Sequence, residues 1–403
     1  MVADQGRRGT EKLIGRLLPI QILFIAVFAT MLGLGIVVPL LPYYADTLGA
    51  TGLGIGLIFS GFALSRTIFM PLIGRYSDKR GRKIFILIGL GLFTIISVAY
   101  IFASSVVELT AIRMAHGFAS AMVIPVAMAY VADLSPEGKE GFYMGSFNSS
   151  LFLGLGCGPL IGGSIFDMAG IAPVFLMMAL LSFIAFIICG LLLPEGSLIK
   201  TSHYSLREVA GSIGMRPVLF FRIMNAYANG TFMVFLPVIA TFWLGLTAFE
   251  TGIIISSSIL ATGLLQRSFG KFADRFSKTN LIAGGTLIVS LALIAIPFSS
   301  GFYDLFLLSL ILGIGSALAI PASTAVVTIA GRTYGQGACM GAFNTAMSVG
   351  MVSAPVLSGF IMDLFDIRAA FEVAGIISLI SVGIFIIMAR CAGIDNYRGE
   401  LKQ

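Results

Sequence analysis

Residues 117–125 read GFASAMVIP and residues 313–321 read GIGSALAIP, and the likeness continues at the same spacing. Displacing the chain by 196 residues puts Gly117 on Gly313, Ser120-Ala121 on Ser316-Ala317 and Ile124-Pro125 on Ile320-Pro321. Met144-Gly145 then meets Met340-Gly341, Phe147-Asn148 meets Phe343-Asn344, and Pro159, Gly163, Asp167 and Phe175 meet Pro355, Gly359, Asp363 and Phe371. Nineteen identities fall within 117–175 without a gap, and upstream Gly74 and Asp78 fall on Gly270 and Asp274. Apolar helices resemble one another by composition, but composition alone does not hold one offset across connecting segments. The chain is a duplication.

What is duplicated follows from composition. Of 403 residues, 58% are hydrophobic and 11% charged, against about 25% charged in soluble domains. A water-soluble fold would leave much of that apolar surface as sticky patches, whereas lipid accepts it. The 48 glycines agree, since membrane helices use glycine where they touch. A net charge of +6 would suggest nucleic acid in a soluble protein; here the charges are distributed as topological anchors, and no nucleic-acid partner is expected. Cys157, Cys189, Cys339 and Cys391 lie in or beside apolar segments without metal-ligand spacing, so neither a disulfide framework nor a metal site is expected. Met1 to Arg16 is polar and basic, and the run after it is long enough to span, which argues against a cleavable signal peptide.

Crossing about 30 Å of hydrocarbon takes about 20 apolar residues. Twelve spans are predicted: 18–44, 53–74, 83–104, 107–133, 141–166, 171–193, 217–243, 250–270, 280–299, 302–331, 337–362 and 369–391. The one long polar connection, 195–216, divides the chain into six-helix bundles at 1–194 and 217–403. An all-α polytopic membrane protein of two parallel repeats is therefore expected, with a substrate site between them near the midplane. Basic residues alternate by loop: Arg7 to Arg16, then Arg75 to Lys83, Lys139, Lys200 to Arg216, Lys271 to Lys278, Arg332, and finally Arg398 and Lys402. The opposite loops carry Asp46, Asp167, Glu250, Asp304, Asp363 and Asp366, with Arg368 as the single basic residue. The positive-inside bias predicts a cell (inner) membrane protein with both termini and the central linker cytoplasmic.

Four motifs add a resemblance. After span 2 the sequence runs Gly74-Arg-Tyr-Ser-Asp78-Lys-Arg-Gly81-Arg82-Lys83, echoed by Gly270-Lys-Phe-Ala-Asp274-Arg275 without the later glycine-arginine pair. Span 5 holds Gly154, Gly158, Pro159, Gly162 and Gly163; span 1 holds Gly33 and Gly35 before Pro39 and Pro42; span 4 holds Arg113 and Gly117. The set resembles the major facilitator superfamily, and the span-5 and span-1 patterns are similar to its drug:proton antiporter branch. That resemblance implies a latch at the cytoplasmic gate for the Gly74–Lys83 loop and a proton-coupling role for Arg113. His116 stands where the family often has glutamine. The plain reading of the glycine stripe is close helix packing, with Pro159 bending the helix.

Further polar residues lie within the spans. Arg66 in span 2 either points inward or snorkels, Arg113 either snorkels or lines the central cavity, and His116 is either a titrating group or a hydrogen-bonded packing residue. Arg222, Asn225 and Asn229 share one face of span 7, as interhelical glue or as a cavity stripe; Asn148 and Asn344 either meet across the repeats or hold helices together. No aspartate or glutamate falls at mid-membrane depth. No nucleophile–base set, metal cluster or phosphate loop supports an enzyme, and no cofactor is implied. The expectation is alternating-access, proton-linked export of small apolar or amphipathic compounds by a monomer. The alternative is a carrier of organic anions or monocarboxylates, suggested by Arg66, Arg113 and Arg222.

Overall fold

The computed structural model describes residues 2–135, 140–195 and 211–394. Among them are twelve helices long and apolar enough to cross a membrane: Leu18–Val37, Gly52–Arg80, Arg82–Phe102, Val106–Leu134, Phe142–Ala169, Ile171–Leu192, Arg216–Trp243, Ala248–Gln266, Lys278–Phe298, Phe302–Gly331, Ala338–Leu364 and Ile367–Cys391. They are numbered span 1 to span 12. Helix is the outcome that lipid demands, because every backbone N–H and C=O in an apolar medium must be paired within its own segment.

Two expected boundaries are corrected. Span 1 was expected to run to residue 44 but its helix stops at Val37, and a short helix Leu41–Thr47 follows with a proline in its first turn. Proline lacks an N–H and fits the start of a helix rather than its interior. The short helix is tied down by Tyr44, whose hydroxyl lies 3.0 Å from the carbonyl oxygen of Tyr100 and 2.8 Å from that of Ala103. The stretch from Gly74, expected as a loop, is helical through Arg80. Only Gly81 interrupts it, at φ +92°, a left-handed conformation that favours glycine, and Arg82 opens the next helix.

The duplication reappears in the packing. Span 1 packs on spans 5 and 6 as span 7 packs on 11 and 12; spans 2 and 3 pack on span 4 as spans 8 and 9 pack on span 10; span 3 meets span 6 as span 9 meets span 12. The two sets join chiefly through span 5 against span 8 and span 2 against span 11. These seams are closed on the face that carries the acidic loops. Added Cβ atoms at Gly163 and Gly252 would strike the backbone of Ala248 and Pro159, and at Gly56 and Gly359 the backbone of Pro355 and Gly52. Ser60 Oγ donates to the Val352 carbonyl at 2.7 Å, one turn further in. Toward the basic loops the seams open: added Cβ atoms at Gly74, Gly145 and Gly270 would meet nothing within 4 Å. Tyr43 of the short helix plugs the closed face, stacked on Phe242 at 6.2 Å and edge-on to Phe166 at 4.9 Å.

Candidate functional site

Span 5 shows how the glycine stripe works. Gly154, Gly158 and Gly162 bring the backbone of span 1 so close that a Cβ at any of them would overlap Phe28, Gly35 or Ile36 main chain. Gly163 faces span 8 instead. The stripe is thus mostly a weld within the first six spans, and only one of its glycines belongs to the seam between sets. The helix continues through Pro159, whose carbonyl lies against Gly252.

Arg113 was expected to snorkel or to line the central cavity. It does neither: it is 2% exposed, with its guanidinium 5.2 Å from the Phe59 ring centroid and 4.4 Å from that of Phe62. Aromatic rings shield the charge by their negative faces, a contact that strengthens away from water. The Tyr100 hydroxyl of span 3 is 3.0 Å from His116 Nδ1. His116, 1% exposed, sits edge-on between Phe62 and Phe93. Arg113 Nε and His116 Nε2 lack hydrogen-bond partners among the described residues.

The span 7 stripe faces inward within the second set. Arg222 lies 4.7 Å from the Phe343 ring centroid and donates from Nη2 to Met347 Sδ at 2.7 Å. Asn229 donates to the Asn225 carbonyl at 2.9 Å and accepts from Ser316 Oγ at 3.4 Å, joining span 10. Arg222 Nε and Asn225 Nδ2 are buried without hydrogen-bond partners among the described residues. Arg66 is partly exposed in the portion of span 2 beyond the closed seam. Asn148 is exposed and Asn344 half-buried, and no described hydrogen bond joins them. A groove of about 440 Å³ opens between spans 1 and 5, lined by Gln21, Phe24, Tyr143, Ser146, Ser149 and Ser150. Sequence reasoning passed over these residues, although serines at i, i+3 and i+4 share a helical face.

On the basic face, Arg82 is 7% exposed and bridges two carboxylates: Asp78 at 2.9 Å and Asp133 of span 4. The cluster ties spans 2, 3 and 4 together; a bond from Asp78 to the opposite set is not among those described, and no neighbour crowds Gly74 or Gly270. With the seams parted at this end, nothing lies within 4 Å of a Cβ added at Gly74. Arg275 belongs to the repeat of this motif, and the side chain of Asp274 lies outside the described residues. Arg368, the exception among the acidic loops, stacks 3.8 Å from the Trp243 ring centroid.

Twelve spans in two matching sets, sealed at one face and parted at the other around intramembrane polar groups, define a membrane transporter. The chain belongs to the major facilitator superfamily: that family's model, Major Facilitator Superfamily, matches residues 23–209 and 218–396. An uncharacterized MFS-type transporter, MJ1560 of Methanocaldococcus jannaschii, is 33% identical over 372 residues, covering 90% of this chain and 96% of its own length. The quinolone resistance protein NorA of Staphylococcus aureus is 31% identical over 406 residues, covering 95% of this chain and 98% of its own. Among solved structures, the nucleoside transporter NupG superposes with a TM-score of 0.78 at 16% identity, over 92% of this chain and 99% of that one.

Proposed function

We propose that this transporter exports small apolar or amphipathic compounds in exchange for protons, its bundles 1–194 and 217–403 rocking against each other. The observation that carries alternating access is the asymmetry of the seams: backbone contact at Gly163 and Gly359, open space at Gly145 and Gly270. The export reading is supported by the near full-length likeness to a quinolone resistance protein. With the basic loops taken as cytoplasmic, in the cell membrane, the parted face would open inward and the transporter would work as a monomer. In the opposite state the Asp78–Arg82–Asp133 cluster would face the other set as a latch. Arg113 and His116 are the candidates for proton coupling, with Arg66, Arg222, Asn225, Asn229, Asn148 and Asn344 as candidates for substrate contact. Efflux of a cationic amphipathic dye from proteoliposomes, with and without an imposed pH gradient, tests this. Gradient-dependent efflux is expected, and gradient-independent movement would overturn proton linkage.

One observation favours a second reading, transport of organic anions. Arg66, Arg113 and Arg222 lie within spans, and no salt bridge from any of them to a carboxylate is described. An intramembrane cation of this kind ordinarily has a partner or a ligand. Competition by monocarboxylates, with no dye movement, would favour this reading over export of neutral or cationic compounds.

A further inference from the structure

The closed face is held by a reciprocal pair of carboxylate caps that span the two helix sets. Span 8 begins with a capping box: Thr247 Oγ1 accepts from the Glu250 N–H at 3.2 Å, and the Glu250 carboxylate accepts from the Thr247 N–H at 2.8 Å. That arrangement leaves the next two N–H groups, of Ala248 and Phe249, without a partner in their own helix. Asp167, from the end of span 5 in the other set, takes both, Oδ1 at 3.3 Å and Oδ2 at 2.9 Å. Span 2 repeats the design. Thr51 Oγ1 accepts from Gly54 N–H at 3.2 Å, and Asp363 from the end of span 11 takes Gly52 N–H at 2.6 Å and Leu53 N–H at 2.8 Å.

The carboxylate, the threonine and the capped N–H groups of one cap lie 196 residues from their counterparts, Asp167 and Asp363, Thr51 and Thr247, Gly52 and Ala248, while Gly54 stands where Glu250 completes the box in span 8. The contacts behind the caps match as well, Gly163 against Ala248 and Gly359 against Gly52, then Gly252 against Pro159 and Gly56 against Pro355. The duplication has thus been kept with the caps exchanged, each set supplying a carboxylate to the other's helix end. A carboxylate on free N–H groups at a helix N-terminus combines charge-assisted hydrogen bonds with a favourable dipole. Because both caps cross the seam, parting this face breaks both together, while the rest of each helix end stays intact on its own threonine.

We propose that Asp167 and Asp363 are gate-positioning residues that bias the transporter toward the state in which this face is shut. The inference rests on the alternating-access part of the proposed function and is independent of what is carried. Thr251 reports on the gate: it is 2% exposed and lines a small cavity together with Tyr43 and Phe166. In a full-length background with the native cysteines replaced, Thr251→Cys is labelled with a maleimide in detergent, without substrate. Asp167→Asn and Asp363→Asn, singly and together, should each raise the labelling rate, the pair by about tenfold or more, since each loses charge-assisted bonds. Asp366→Asn is the control, because Asp366 caps Ala369 at 2.7 Å within its own set and should leave the rate unchanged. Thermal unfolding is followed in parallel, and a single variant stands in if the pair fails to fold. Unchanged labelling in folded Asp167→Asn and Asp363→Asn would overturn the proposal. So would an equal rise in Asp366→Asn, which would mean general fraying of helix ends.

Discussion

Tyr100 sits within the first set with no exposed surface, its hydroxyl 3.0 Å from His116 Nδ1. Its ring also stacks on Phe175 at 4.9 Å, so the hydroxyl is the only part that a change to phenylalanine removes. Tyr100→Phe strips His116 Nδ1 of its partner in a site closed to water, and should cost about 1–3 kcal/mol. Thermal unfolding in detergent measures it, and no loss would mean that the contact with His116 is not part of the folded state's stability. Arg82 presents a similar dependence at the basic face. Its planar fork serves Asp78 and Asp133 at once, and Arg82→Ala leaves two carboxylates facing each other. A loss of about 3 kcal/mol is expected for removing one partner of a largely buried pair. Arg82→Lys should recover only part of it, because an ammonium keeps the charge and loses the fork.

At the scale of the helix, the same residue type does opposite things along span 5. Gly158 and Gly162 are pressed against span 1 main chain, while Gly145 on the same helix faces open space. Gly158→Ala must push two backbones apart and should destabilise by about 1–3 kcal/mol through overpacking. Gly145→Ala should be neutral or slightly stabilising, since alanine is the better helix former. Melting temperatures of the two variants in one detergent decide the matter; equal values would mean that span 1 yields freely. Because Gly158 contacts span 1 rather than the other set, its replacement is expected to weaken folding more than gating, whereas Gly163 lies on the gating seam.

On the proposed alternating-access reading, the coordinate that matters at the scale of the molecule is the separation of the two sets at each face. Spin labels on Gly145→Cys and Gly270→Cys, in a background freed of native cysteines, occupy the parted ends of spans 5 and 8, where nothing lies within 4 Å of an added Cβ. A long inter-label distance is expected at rest. Weakening the opposite face through Asp167→Asn with Asp363→Asn should add a shorter population, because a rigid rocking body that opens at one end closes at the other. Each tenfold change in that ratio corresponds to about 1.4 kcal/mol between states. Shortening without any change at the Asp face would show that the two faces move independently.

Much of this was legible without coordinates. The count of spans follows from hydropathy because lipid leaves the backbone no alternative to helix, and the duplication follows from the 196-residue offset. The charged Arg113 and the stripe of Arg222, Asn225 and Asn229 announced themselves as costly residues in an apolar stretch. Sequence did not say which way those groups turn. Arg113 lies under Phe59 and Phe62 because span 2 packs on span 4, and Arg222 lies on Phe343 because span 7 packs on span 11. Asp167 and Asp363 read as ordinary acids of outward loops. Their partners stand 82 and 310 residues away on the opposite set, and only the exchange of helices across the seam brings carboxylate and N–H together. Periodicity and charge bias are local properties that a chain carries in its order; which backbone groups are left unpaired at a helix end, and what reaches them, is decided by packing alone.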